Sequence, residues 1–141
     1  MISVPLGIAA GFTTHSALAG MLCLLSGTMI DVDHAIEYII HYGWHIFNPR
    51  EVYRACSRLA KRKEEGGVKT LHLFFHAVEL ALLLWVSYIL SKNIYFFSIA
   101  LGYTGHLIAD MIGNNRAMKT SSYFITIRVL KGFNTGKLIK Y

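Results

Sequence analysis

Residues 4–30 read VPLGIAAGFTTHSALAGMLCLLSGTMI, and the chain continues DVDHAIE over 31–37. No Lys, Arg, Asp or Glu occurs from Met1 to Ile30. The run exceeds the roughly 20 apolar residues that a helix needs to cross a bilayer. In lipid every backbone polar group must be satisfied internally, so only helices and closed barrels span a membrane. Nothing in the chain alternates with period two as barrel strands do. The fold class expected is therefore all-α, an integral membrane helical bundle.

Two more stretches share this character, Leu71 to Leu90 and Ile94 to Ile112. About three spanning helices are expected, over 4–30, 71–90 and 94–112, in one membrane-embedded domain covering 1–141. Composition agrees. The chain is 54% hydrophobic and 16% charged, with a mean hydropathy of +0.43, more apolar and less charged than a soluble domain of ordinary make-up. Pro5, Gly7, Gly11 and Gly20 permit a broken or re-entrant first segment, but the simple three-span reading puts the start of the chain opposite the basic side.

The net charge of +6 is concentrated, since thirteen of the fourteen bases lie in 50–69 or after Asn114. Arg50, Arg54, Arg58 and Lys61 recur at helical spacing behind Pro49, which suits a first helical turn, so a basic interfacial helix is expected over about 49–63. A second amphipathic segment is expected in the tail, 116–141. The turn at Ser91 to Asn93 has only Lys92, so the basic loop and the tail should be cytoplasmic. Membrane lipids with anionic headgroups are the partners this implies. No nucleic-acid motif accompanies the bases, and nucleic acid is not expected. Cys23 and Cys56 have no second cysteine at metal or redox spacing. The first run lacks a basic n-region and is too long for a signal-peptide core, so it is expected to remain as an anchor.

Five of the eight acids, Asp31, Asp33, Glu37, Glu79 and Asp110, sit inside or beside the apolar stretches. Ionisable groups there cost about 3 kcal/mol each by insertion scales and usually pair, bind ions or move protons. They fall into three groups with the histidines. Asp31, Asp33 and His34, with Glu37 and His41 following, close the first span. A helix cap would use one aspartate but not the whole set. His72, His76 and Glu79 open the second span, where i, i+4 and i+7 share one helical face. His106 and Asp110 close the third. With alternating spans, all three groups arrive at the same leaflet. Imidazole and carboxylate without thiolate suit zinc, manganese or iron. His15 would stand about 24 Å from Asp31 along a straight helix, and His45 follows Trp44 in a loop; both are left outside the site.

The Asp31-Val32-Asp33-His34 element, a histidine pair opening an apolar helix, and Gly102-Tyr-Thr-Gly-His106-x-x-x-Asp110 together resemble a bacterial family of membrane-bound, metal-dependent hydrolases described as LexA-binding and inner-membrane-associated. The resemblance covers roughly residues 15 to 112. A more distant likeness is to helical zinc-dependent phospholipase C enzymes. It implies an inner-membrane enzyme with Asp31, Asp33, His34, His76, His106 and Asp110 as ligands of a divalent metal, zinc foremost and manganese or iron as alternatives. Family members often carry His-Arg-Gly-x-Thr-His before the second helix, whereas this chain has His72-Leu-Phe-Phe-His76, so both His72 and His76 stay candidates.

The expectation is thus a metal-dependent hydrolase acting on a phosphoester or lipid substrate. Glu79 or Glu37 would act as general base or would orient a histidine, and Arg116 or Arg128 would hold the phosphate. The alternatives are a di-iron membrane oxidoreductase and a non-enzymatic ion- or proton-binding transporter. Three spans are few for a transporter unless the chain forms an oligomer.

Overall fold

A computed structural model describes residues 2–42, 72–114 and 118–138. The basic segment at 49–63, His45 and Arg116 lie outside the described residues, as does the side chain of His41. Among the described residues the fold is all-helical with no strand. The helices are α1 (Ser3–Thr14), α2 (Ala17–Met29), α3 (Val32–Tyr42), α4 (Val78–Ser91) and α5 (Ile94–Gly113). A 3-10 turn at Thr120–Tyr123 and two short helices, α6 (Ile125–Leu130) and α7 (Thr135–Leu138), follow.

The first expected span is not one helix. Its polar interruption, Thr13-Thr14-His15-Ser16, makes a tight turn: His15 adopts the left-handed region with φ of 49°, and its N–H donates back to the Phe12 carbonyl. Ser16 is extended and its hydroxyl caps α2 by accepting the Ala19 N–H at 3.2 Å, as serine does at helix starts. α1 and α2 therefore form an antiparallel hairpin. A Cβ on Gly20 would come within 2.8 Å of the Gly7 carbonyl oxygen, so the two helices touch backbone to backbone, a packing mode suited to lipid. Ser3, at the start of α1, packs against Gly27 near the end of α2. The start of the chain thus lies at the same end of the bundle as Asp31, which corrects the simple three-span reading.

α2 packs against both α1 and α5, and it runs parallel to α5, with Ser26 meeting Ile99 and Asp31 meeting His106 further along both. A Cβ on Gly102 would overlap the Cys23 carbonyl, and the Ser26 hydroxyl crosses to the Ile99 carbonyl at 3.0 Å. Where the third span was expected, over 94–112, α5 is a helix of matching extent, though not one long and apolar enough by composition to count as a span. The expected span at 71–90 starts seven residues late, because 72–77 are not helical. One stretch, Ala17–Glu37, is long and apolar enough to cross a membrane, and α4 is a shorter apolar helix. The outer faces of the bundle are apolar and exposed, with Ile8, Phe12, Met21, Leu82, Leu83, Val86 and Leu90 among the residues turned outward. At the turn end of α4 and α5, Trp85, Tyr88 and Phe97 stack together. At the other end Ile30, Ala81, Tyr103, Leu107 and Tyr123 form a buried cluster.

The tail is not one amphipathic helix. It breaks at Phe124 and again at Gly132, whose φ is +60°, and it folds onto the Asp31 end. Leu138 packs there with Leu73 and Met118.

Candidate metal centre

The centre is built on backbone groups that no helix satisfies. In the segment 72–77 Leu73 has a φ of 22°, and the free N–H groups are taken by two carboxylates one turn apart on α3. Asp33 Oδ2 accepts from the N–H of Phe75 and of His76, the latter at 3.1 Å. Glu37 Oε2 accepts from the His72 N–H at 3.1 Å. On the other side the Tyr103 hydroxyl donates to the carbonyls of Phe75 and Ala77, and it accepts the Ala77 N–H at 3.2 Å. A shared helical face for His72, His76 and Glu79 is thereby corrected, since the first two precede the helix.

This cradle presents His76, only 3% exposed, to two carboxylates. Its Nδ1 lies 3.1 Å from Asp33 Oδ2 and its Nε2 lies 2.8 Å from Asp110 Oδ2. His106 Nε2 sits 3.2 Å from Asp31 Oδ1 and 3.6 Å from Asp110 Oδ2. The ring of His76 stands 5.0 Å from that of His34 and 6.3 Å from that of His106. Two donor sets result, Asp31 with His34 and His76, and His76 with His106 and Asp110, each with its ligand atoms within 4.8 Å of one another. Burial pushes the His76 imidazole toward lower pKa, but hydrogen bonds and charge from Asp110 and Asp33 outweigh it and leave the pKa raised above the usual 6.5.

These residues fit a metal ion. Ligands about 2.0–2.2 Å from a zinc stand some 3–4 Å from each other, close to the separations here. His106 Nε2 is buried and makes no aligned hydrogen bond although two carboxylates face it, as expected of an imidazole whose partner is a cation. The His/Asp group can therefore hold a metal ion, and the donors do not single out which one.

Asp33 lies outside both donor sets and holds His76 Nδ1, the position of a carboxylate that orients a ligand histidine. His72 also lies outside them, with Nδ1 3.4 Å from Glu37 Oε2 and its ring against Phe133 at 5.3 Å. Glu79 turns to the tail, where its carboxylate accepts from the N–H of Ile125 at 2.9 Å and of Thr126 at 3.0 Å, and from the Thr126 hydroxyl at 2.8 Å. Arg128, expected to meet a phosphate, is instead fully buried. It donates to the carbonyls of His72 at 3.0 Å, of Leu73, and of His76 at 2.9 Å. Burial lowers the pKa of its guanidinium from the usual value. His15 is exposed at the α1–α2 turn, at the opposite end of α2 from Asp31.

Sequence reasoning missed Tyr103 and Tyr123, whose hydroxyl donates to the Asp110 carbonyl at 2.9 Å, and it gave Arg128 a different task. The one usable signal was a single base inside the apolar run Ile125-Thr-Ile-Arg128-Val-Leu130. No known protein family, curated protein or solved structure matches the chain.

Proposed function

We propose that the chain is a membrane-embedded, metal-dependent hydrolase that acts on a phosphoester, with lipid phosphoesters as the natural class, at the cytoplasmic face of the inner membrane. One observation carries the reading: Asp31, His34, His76, His106 and Asp110, drawn from three separate stretches of sequence, converge at one end of an apolar bundle. The belt of outward-facing apolar side chains supports residence in lipid, since exposed apolar patches of this extent mark contact with another phase. The sequence resemblance to membrane-bound hydrolases points the same way.

In this reading His34, His76, His106, Asp31 and Asp110 hold the cation. A divalent ion there would acidify a coordinated water and polarise a phosphoryl oxygen. Asp33 fixes the His76 ring so that Nε2 faces the centre. Glu79 is committed to the tail, so the base is assigned to Glu37 with His72. This buried carboxylate and its imidazole partner stand one turn beyond His34 and four residues before His76 in the chain, and they would take up the proton that a water held at the centre gives up.

The test is metal content and turnover of the full chain purified in detergent. Zinc, manganese or iron is expected at one or more per chain, with phosphate-ester hydrolysis that disappears on chelation and returns with the metal. Protein that stays metal-free after exposure to all three ions would end the proposal. Iron with a visible absorption band and no hydrolysis would favour the oxidoreductase instead.

A further inference from the structure

A buried guanidinium is an expensive thing to keep, because desolvating a charge costs several kcal/mol unless its donors are used. Arg128 spends its donors on one short piece of chain. Its Nη1 donates to the carbonyls of His72 and Leu73, and its Nη2 to that of His76. Of the same stretch, His72 offers its N–H to Glu37, and Phe75 and His76 offer theirs to Asp33, on the opposite side. Segment 72–76 is therefore gripped from both faces, its amides by α3 and its carbonyls by the tail. The tail is itself tied down by Glu79, which takes the N–H groups of Ile125 and Thr126, and by Leu138, which packs on Leu73. Only His76, of the residues gripped, carries a ligand atom.

We propose that Arg128 is a positioning residue for the metal centre, and that the C-terminal segment 118–138 is a strap that sets the geometry of His76. The inference rests on the metal-centre reading. The strap acts through backbone carbonyls, so it depends on the planar fork of the guanidinium rather than on positive charge alone. A lysine in its place has its three N–H groups on a single nitrogen and lacks the two separated nitrogens with which Arg128 reaches the carbonyls of three residues.

Cobalt(II) titration of the full-length chain in detergent provides the measurement, because the visible d–d bands report ligand geometry as well as affinity. Four samples are compared: wild type, Arg128→Lys, Arg128→Ala, and Arg128→Ala with millimolar methylguanidinium. Loss of a partner that orients a ligand typically weakens metal binding by about 10–100-fold, and both variants are expected in that range with altered bands. Methylguanidinium should restore most of the affinity and the wild-type spectrum to Arg128→Ala, which a general loss of packing would not allow. Variants with wild-type affinity and bands would overturn the strap. If Arg128→Ala loses its helical circular dichroism, Arg128→Lys alone decides by the same criterion.

A wild-type chain that binds no cobalt would defeat the metal reading instead. Trypsin cleavage at Lys131 separates the two failures. An Arg128→Ala tail that becomes cleavable while metal binding is unchanged shows a docked tail that does not govern the centre, and the proposal falls.

Discussion

At the scale of single residues, the division between holding a metal and holding a ligand runs through neighbours. Asp31 and Asp33 are two residues apart, yet one faces His106 Nε2 and the other faces His76 Nδ1 and two backbone amides. His106→Ala removes a donor and breaks the His76–His106–Asp110 set, so it should lower the amount of metal bound per chain. Asp33→Asn should leave the ion present but bound about 10–100-fold more weakly, as read by competition with a chromogenic chelator. Equal losses in the two variants would contradict the assignment of Asp33 as an orienting group. Protonation of His76 gives a second outcome. Its pKa is raised in the folded chain, so the stabilisation from the protonated ring between Asp33 and Asp110 is fully present below its unfolded value and disappears as pH rises through the folded one. Metal-free protein should thus melt at lower temperature as pH climbs above the imidazole range. Added metal should oppose the trend, because it takes the ring as the proton leaves.

At the scale of elements, the bundle depends on backbone contact where the sequence offers glycine. Gly102→Leu would drive a side chain into the Cys23 carbonyl, and overpacking of this kind should cost about 3 kcal/mol or more. Gly113, near the end of the same helix, meets nothing within 4 Å, so Gly113→Leu should leave the thermal loss of helical circular dichroism unchanged. Elements also show where the sequence was readable. α5 was plain, because its twenty residues carry an uninterrupted apolar pattern and end in the His106–Asp110 pair. The α1–α2 hairpin was hidden, because four polar residues within twenty-seven hardly lower the mean hydropathy of the window. The decisive signal was local, a serine able to cap and a residue tolerating the left-handed turn. The start of α4 was misjudged for the opposite reason. Helical spacing of His72, His76 and Glu79 looked like a face, but the side chains that satisfy backbone 72–77 come from α3, α5 and the tail, which no local window contains.

At the scale of the whole molecule, convergence of the donors was legible because each group closes or opens an apolar stretch, so connectivity alone brings them to one end. The tail's part was not legible, since a long-range contact from Arg128 to residues over fifty positions earlier leaves no periodic trace. The topology itself can be checked. Ser3 lies at the same end as Asp31, while His15 and Lys92 lie at the other. Single cysteines introduced at the exposed Ile2, beside Ser3, and at Lys119 of a Cys23→Ala, Cys56→Ala chain should be shielded together from an impermeant thiol reagent added outside intact cells. Cysteines at His15 and Lys92 should be labelled together. Labelling of position 2 along with Lys92 would mean that α1 is not paired with α2 as described.

The length of that hairpin has one more effect. The twelve residues of α1 give a rod about 18 Å long, well short of the roughly 30 Å hydrocarbon thickness of an ordinary bilayer. In the membrane-embedded reading proposed above, lipid beside α1 would have to compress to avoid leaving the rod ends in oil. Around this flank an embedding bilayer would be pinched, and phosphate groups of neighbouring lipids would ride lower than elsewhere, toward the depth of Asp31 and His106.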